Sequence, residues 1–326
     1  MPADAAKTTD DGIAGQLTVG PLGDGDIAEA ARIVRLAFGT FIGVPNPEAF
    51  WSDRDYAHGR FAAPHAAAFG AKLGGKLVGS NFATNWGSVG FFGPLSVRPG
   101  LQNRGVAQAL LKKTMAQFDA WGTKHVGLFT FAQSAKHVGL YQKFGFSARF
   151  LTAIMSATAR PHSARGLLRL RELTKIKQDE ALHSCRRLTE TLYPGLDLTE
   201  EIRATAALNL GETLLIEDGD EIAAFAICQH GPGSEAGADT CYVKFGAARA
   251  GASAERDFIR LIESCESLAA EIGTAKLLAG VNMARHEAYR LFVARGYRTE
   301  IQGIAMHKDN DPGYSKPGLF IIDDWR

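Results

Sequence analysis

The sequence is short of the features that mark several common protein classes. It has only four cysteines, Cys185, Cys228, Cys241 and Cys265, in 326 residues. All lie in the second half and none forms a C-x-x-C pair, so neither a zinc site nor a disulfide framework is indicated. Charge of one sign is also missing. Lys and Arg number 36 against 35 Asp and Glu, so no global field draws the chain to nucleic acid or an acidic membrane surface. No G-x-x-x-x-G-K-[ST] occurs, which removes a nucleotide-binding P-loop. The opening MPADAAKTTDDGIAG has no apolar signal-like core, and no later run has the length of a membrane span. These absences lead to the expectation of a cytoplasmic chain with reduced, structural thiols, no metal, and a disordered lead-in over residues 1–14.

What is present is apolar material, 46% of the residues, enough for two cores of about 150 residues each. QLTVGPL (16–22) reads as a strand. The following helix puts Ile27, Ala30, Ala31, Val34 and Phe38 on one face. A short helix is expected from Pro47 to Tyr56, then two strands around a Gly74-Gly75 hairpin. The strand from Ser88 to Val97 comes next. From Asn103 to Trp121 small and apolar residues keep helical spacing, closed by Gly122. HVGLFTF (125–131) is a strand, and SAKHVGLYQKFGF a helix ending at Gly145.

Between those last two strands lies VRPGLQNRGVAQALL (97–111). A glycine at a helix entrance lets a ligand approach backbone N–H groups that lack intrahelical partners, and the helix dipole favours an anion there. Phosphate is the natural candidate. The motif Gln102-x-x-Gly105-x-Ala107 is short, and its place between two apolar strands gives it weight.

LSV-x4-QNRGVA followed by LYQKFGF resembles the GNAT superfamily, the GCN5-related N-acetyltransferases that use acetyl-CoA. The resemblance implies that Gln102, Asn103, Arg104, Gly105, Val106, Ala107 and Gln108 hold the CoA pyrophosphate and that Leu95 and Val97 offer backbone groups to the pantetheine. It makes Tyr141 the catalytic residue, a general acid for the departing thiolate, and lets Ser134 hydrogen-bond the cofactor. Relatives often carry Asn and Ala where this chain has Ser134 and His137, and His137 reads as a helix-surface residue or a group reshaping the pocket. The strand from Ser88 to Val97 holds no carboxylate to act as a base. Glu48, Asp53, Asp55 and His58 remain candidates, because their segment shapes the acceptor site in relatives. The alternative for that segment is a core-covering helix with a solvated face.

The second half repeats the first. A shift of 151 places Gly122-Thr123 on Gly273-Thr274, Leu140 on Leu291 and Gly145 on Gly296. LLRLRELT (167–174) would be its first strand, 214–228 a hairpin over Asp218-Gly219, and KLLAGV (276–281) a late strand. At the same shift Gln102 falls on Ser253, Gly105 on Arg256, Ala107 on Phe258 and Tyr141 on Phe292, which leaves neither a phosphate cradle nor a proton donor.

The expected class is therefore α/β, of α+β type: two tandem GNAT-like domains, each a mixed, mostly antiparallel sheet flanked by helices. The expected divisions are an N-terminal acetyltransferase domain (15–156), a linker (157–166), a degenerate C-terminal domain (167–308) and a tail (309–326). Expected function is transfer of an acetyl group from acetyl-CoA to an amine of a small molecule or peptide; a non-catalytic acyl-CoA-binding regulatory or scaffolding role is the alternative. Homodimerisation stays open. The tail is apolar at Leu319, Phe320, Ile321 and Ile322, so it is expected to dock. In the cleft between repeats it would bring Asp323, Asp324 or the terminal carboxylate of Arg326 near the acceptor; otherwise it seals the second repeat.

Overall fold

The computed structural model describes residues 17–162, 166–219 and 221–326. The lead-in expected over residues 1–14 lies outside them, as do residues 163–165 of the expected linker. In the first half, β1 (Leu17–Pro21) leads to α1 (Ile27–Ile42) and the short α2 (His58–Ala62). Then come β2 (Ala66–Leu73), β3 (Lys76–Trp86), β4 (Val89–Phe92), β5 (Ser96–Val97), α3 (Val106–Trp121), β6 (His125–Thr130), α4 (Ala135–Gln142) and β7 (Phe146–Thr158).

The second half runs β8 (Leu167–Arg169), α5 (Lys175–Glu190), α6 (Thr199–Ala207), β9 (Gly211–Asp218), β10 (Glu221–Gly231) and β11 (Gly237–Ala248). It continues with α7 (Ala254–Glu271), β12 (Lys276–Asn282), α8 (His286–Ala294), β13 (Arg298–Lys308) and β14 (Ile321–Ile322). The 151-residue shift holds here, since it carries His125 at the start of β6 onto Lys276 at the start of β12, and Ala135 of α4 onto His286 of α8.

Both halves share one sheet. Its order is β1-β2-β3-β4-β6-β13-β7-β12-β11-β10-β9-β8. The last strands of the repeats have changed places: β13 pairs with β6 of the first repeat, β7 with β12 of the second, and the two pair antiparallel with each other. The boundary in sequence therefore does not divide the sheet. Ala157 and Thr158, expected in the linker, instead pair with Leu277 and Lys276 as the end of β7.

Three local expectations also change. Pro47 opens only a 3-10 turn over Pro47–Ala49, and the helix comes later, at α2. LLRLRELT is a strand for three residues and then a 3-10 turn over Leu170–Glu172. The run from Ser88 to Val97 is two strands, both paired to β3, broken at Gly93, Pro94 and Leu95.

Candidate active site

The break between β4 and β5 opens the sheet. β4 runs parallel to β6 only as far as Phe91 opposite Gly127. Beyond that point β5 stays with β3 while β6 stays with β13, so the two strands part. A cleft of about 750 Å³ occupies the gap. On its walls are Phe92, Leu95 and Val97 from one side of the split and Phe129, Thr130 and Phe131 from the other.

The loop into α3 forms part of the same cleft. Gly105 sits at the N-cap in the left-handed region, φ 78°, which a glycine adopts without steric cost. A Cβ added there would meet no atom within 4 Å, so the approach to the first turn of α3 is open. The helix itself starts at Val106, not Asn103, because Asn103 is also left-handed, φ 63°. Gln102, Asn103, Gly105, Val106, Ala107 and Gln108 all line the cleft; Arg104 is exposed and does not. Lys136 Nζ donates to Gln102 Oε1 over 3.3 Å, which holds a cation beside the loop.

Tyr141 and Ser134 reach the cleft from α4. Burial pushes the Tyr141 phenol well above its ordinary value, so the group stays protonated at neutral pH. Its ring lies 5.8 Å from Phe92, and among the described residues its hydroxyl has no hydrogen-bond partner. The Ser134 hydroxyl already caps α4, accepting from the His137 amide at 3.4 Å. His137 lines the cleft against Phe41, centroids 5.0 Å apart; burial and then Lys136 lower its pKa.

The acids considered as bases are elsewhere. Glu48 pairs with Arg32 at 2.7 Å, and Asp55 accepts from the Ala57 and His58 amides and bonds the His58 ring at 2.5 Å. Asp53 accepts from the Ala238 amide at 2.9 Å, tying this segment to the second repeat. Asp323 pairs with Arg285 at 2.5 Å, and Asp324 accepts from the Tyr242 hydroxyl at 2.9 Å. Neither these five acids nor His58 lines the cleft. The docked tail instead supplies Trp325 and Arg326. With Phe38, Phe41, Trp51 and Tyr56 they form an aromatic wall.

The second repeat parts its strands at the equivalent place. β11 and β12 run parallel as far as Val243 opposite Ala279, one residue pair beyond the point matching Phe91 and Gly127. There the gap is filled by the chain's own tail. β14 pairs Ile322 with Gly246 and Ile321 with Ala247, and the Ala248 amide donates to the Phe320 carbonyl at 3.1 Å. At the 151-residue shift Gly246 and Ala248 match Leu95 and Val97. Phe258 and Phe292 are fully buried and meet edge to face at 6.0 Å, while Arg256 reaches Asp218 at 2.6 Å.

The model of the Acetyltransferase (GNAT) family matches residues 31–146. Residues 31–146 form a GNAT domain. Solved structures align with this fold along nearly the whole chain. A candidate acetyltransferase from Pyrococcus horikoshii aligns with TM-score 0.69 and 13% identity over 95% of each chain. A GCN5-related N-acetyltransferase from Sphaerobacter thermophilus aligns with TM-score 0.56 and 14% identity, over 91% of this chain and 97% of that one. A tandem GNAT protein from the clavulanic acid biosynthesis pathway gives TM-score 0.55 and 11% identity, over 91% and 99%. At these identities the likeness is one of fold. No curated protein matches the sequence. No helix among the described residues is long and apolar enough to cross a membrane, and no group of His, Cys, Asp and Glu among them is arranged to hold a metal.

Proposed function

We propose that the chain is an acetyl-CoA-dependent N-acetyltransferase with one acyl-CoA site, in the first repeat. The observation that carries this reading is the contrast between two equivalent splits in one sheet: one opens beside a glycine-headed helix and Tyr141, the other is filled by β14 and faced by phenylalanines. Gln102, Asn103, Gly105, Val106, Ala107 and Gln108 suit a pyrophosphate, because the free N–H groups at the start of α3 and the nearby Lys136 supply positive potential. Leu95 and Val97 suit the pantetheine arm, since β5 turns one edge to the opened split.

The chemistry is direct attack of a neutral amine on the thioester carbonyl, forming the amide C–N bond and breaking the C–S bond. The departing thiolate takes a proton from the buried, protonated Tyr141, and the proton that the amine nitrogen sheds as the amide forms returns the phenolate to its neutral form. No Asp or Glu side chain lines the cleft to deprotonate an incoming ammonium. Apolar surroundings and the cations Lys136, Lys143 and Arg326 disfavour an ammonium, so the amine enters neutral after losing its proton to water. Calorimetry tests the reading: one acetyl-CoA per chain supports it, whereas two per chain, or none, removes it. A scaffolding protein would bind acetyl-CoA without releasing CoA thiol to any amine.

A further inference from the structure

The acceptor wall of the cleft has a chemical bias of its own. Phe41 lies 4.9 Å from Phe131, Phe38 lies 5.7 Å from Trp51, and Trp51 lies 5.4 Å from Tyr56. Phe129, Ile154, Ile301 and Trp325 extend the same apolar lining. The charged side chains on the cleft are Lys136, Lys143 and Arg326, with His137 as a further titratable group; none is an aspartate or glutamate. A polycationic amine would find no Asp or Glu side chain to hold it. A ring or branched chain would be enclosed on several sides.

One hydroxyl in this wall has no partner, and one guanidinium, ion-paired with Asp324, keeps an unmatched donor. The Tyr56 side chain is 6% exposed, and its hydroxyl makes no hydrogen bond. The Arg326 side chain is 10% exposed, with its guanidinium 3.9 Å above the Tyr242 ring. Its Nε lies 3.3 Å from Asp324 Oδ2 but is not aligned to donate to it, and Nη2 has no acceptor. The main-chain oxygen of Arg326 is taken by Arg60. Donors left unmatched in a buried apolar cleft favour a ligand that brings acceptor oxygens, and a guanidinium fork suits a carboxylate.

We infer that the acceptor is an apolar amine bearing a carboxylate, of the type of an aromatic α-amino acid, with Arg326 and the Tyr56 hydroxyl reading the carboxylate. The inference rests on the acyltransferase reading for the fate of the amine, but the anion recognition does not need acetyl-CoA. Its test uses the full chain with L-phenylalanine, its decarboxylated analogue phenethylamine, and spermidine, following thiol release from acetyl-CoA. The expected order is phenylalanine first, phenethylamine weaker by about tenfold or more, the worth of one charged hydrogen bond, and spermidine inactive. R326Q should lower kcat/KM for phenylalanine about tenfold to a hundredfold more than it does for phenethylamine, with R326K recovering part of that difference.

In parallel, calorimetry with N-acetyl-L-phenylalanine should show binding that R326Q abolishes while the circular dichroism spectrum stays unchanged. Spermidine as the preferred acceptor, or equal losses for phenylalanine and phenethylamine in R326Q, overturns the inference. If acetyl-CoA itself fails to bind, the acyltransferase reading falls, and the N-acetyl-L-phenylalanine titration still decides whether Arg326 recognises a carboxylate.

Discussion

Gly127→Ala probes how the tail is locked into the first repeat. Gly127 lies on β6 between Phe91 of β4 and His307 of β13, so its backbone is held on both sides. A Cβ there would stand 2.1 Å from Cζ3 and 2.5 Å from Cε3 of Trp325. To reach an ordinary contact of about 3.4 Å or more the indole must retreat by about 1.3 Å. Trp325 is 5% exposed, is flanked by His307 at 5.1 Å and His125 at 5.7 Å, and donates from Nε1 to the Tyr314 hydroxyl at 2.9 Å.

Overpacking costs about 1–3 kcal/mol, and losing the indole hydrogen bond adds about 1 kcal/mol. Gly127→Ala should therefore destabilise by about 2–4 kcal/mol. Trp325→Ala alone should cost about 3–5 kcal/mol. Placed in that background, the Gly127 methyl enters the space the indole left and should cost nearly nothing. Urea unfolding of the four chains, followed by circular dichroism, measures the coupling, expected at about 2–4 kcal/mol. Additive costs, within about 0.5 kcal/mol, would show that the indole does not occupy this place.

The remaining expectations concern the cofactor loop, the proton donor and acid stability. Gly105→Glu should weaken acetyl-CoA at least about a hundredfold through like-charge repulsion, whereas Gly105→Ala should cost only the backbone strain of its positive φ, about tenfold; calorimetry that finds the two alike would take the pyrophosphate away from this loop. Tyr141→Phe should leave acetyl-CoA affinity unchanged and lower kcat by about 10- to 1000-fold, and unchanged single-turnover rates would leave the tyrosine a packing role. Burial, and then the neighbouring His125, hold His307 at about 3, below its ordinary 6.5. A depressed histidine stabilises fully above its unfolded value and loses that contribution as pH falls from 6.5 toward 3. His307→Asn should therefore flatten the fall in stability between about pH 6.5 and 4.5 by about 2 kcal/mol, and an unchanged slope in pH-dependent urea titrations would count against it.

The sequence carried the elements whose signals are local. Gly74 and Gly75 both take positive φ between β2 and β3, and Gly122 ends α3 in the left-handed region. The glycine-headed start of α3 was legible as a pattern, whereas Tyr141 stood out only through the resemblance to GNAT enzymes; both residues line the cleft. The split of β4 from β5 was not, because both pair with β3 and read as one apolar run. α2 is five residues long, too short to show a helical period. Ile301 reaches the cleft from β13, and no pattern in one strand tells which repeat it will join.

The exchange of strands explains why a repeat whose own cleft is filled accompanies the first. β6, which forms one wall of the open cleft, has its other edge covered by β13 of the second repeat. β14 lies along β11 in the filled split, and the residues after it deliver Trp325 against Gly127 and Arg326 into the cleft. Beneath them the buried Arg60 guanidinium meets Glu235 at 2.8 Å, and Glu235 meets Lys244 at 2.6 Å, so charges from both repeats neutralise one another across the join. Burial raises Glu201, but Lys244, His65 and the Trp86 indole outweigh it and hold the group at about 2. Removing the second repeat would leave Arg60 a buried cation without its partner and β6 an open edge. The first repeat is thus not separable from the second by cutting the chain between them, since its cleft takes Ile301, Trp325 and Arg326 from beyond that cut.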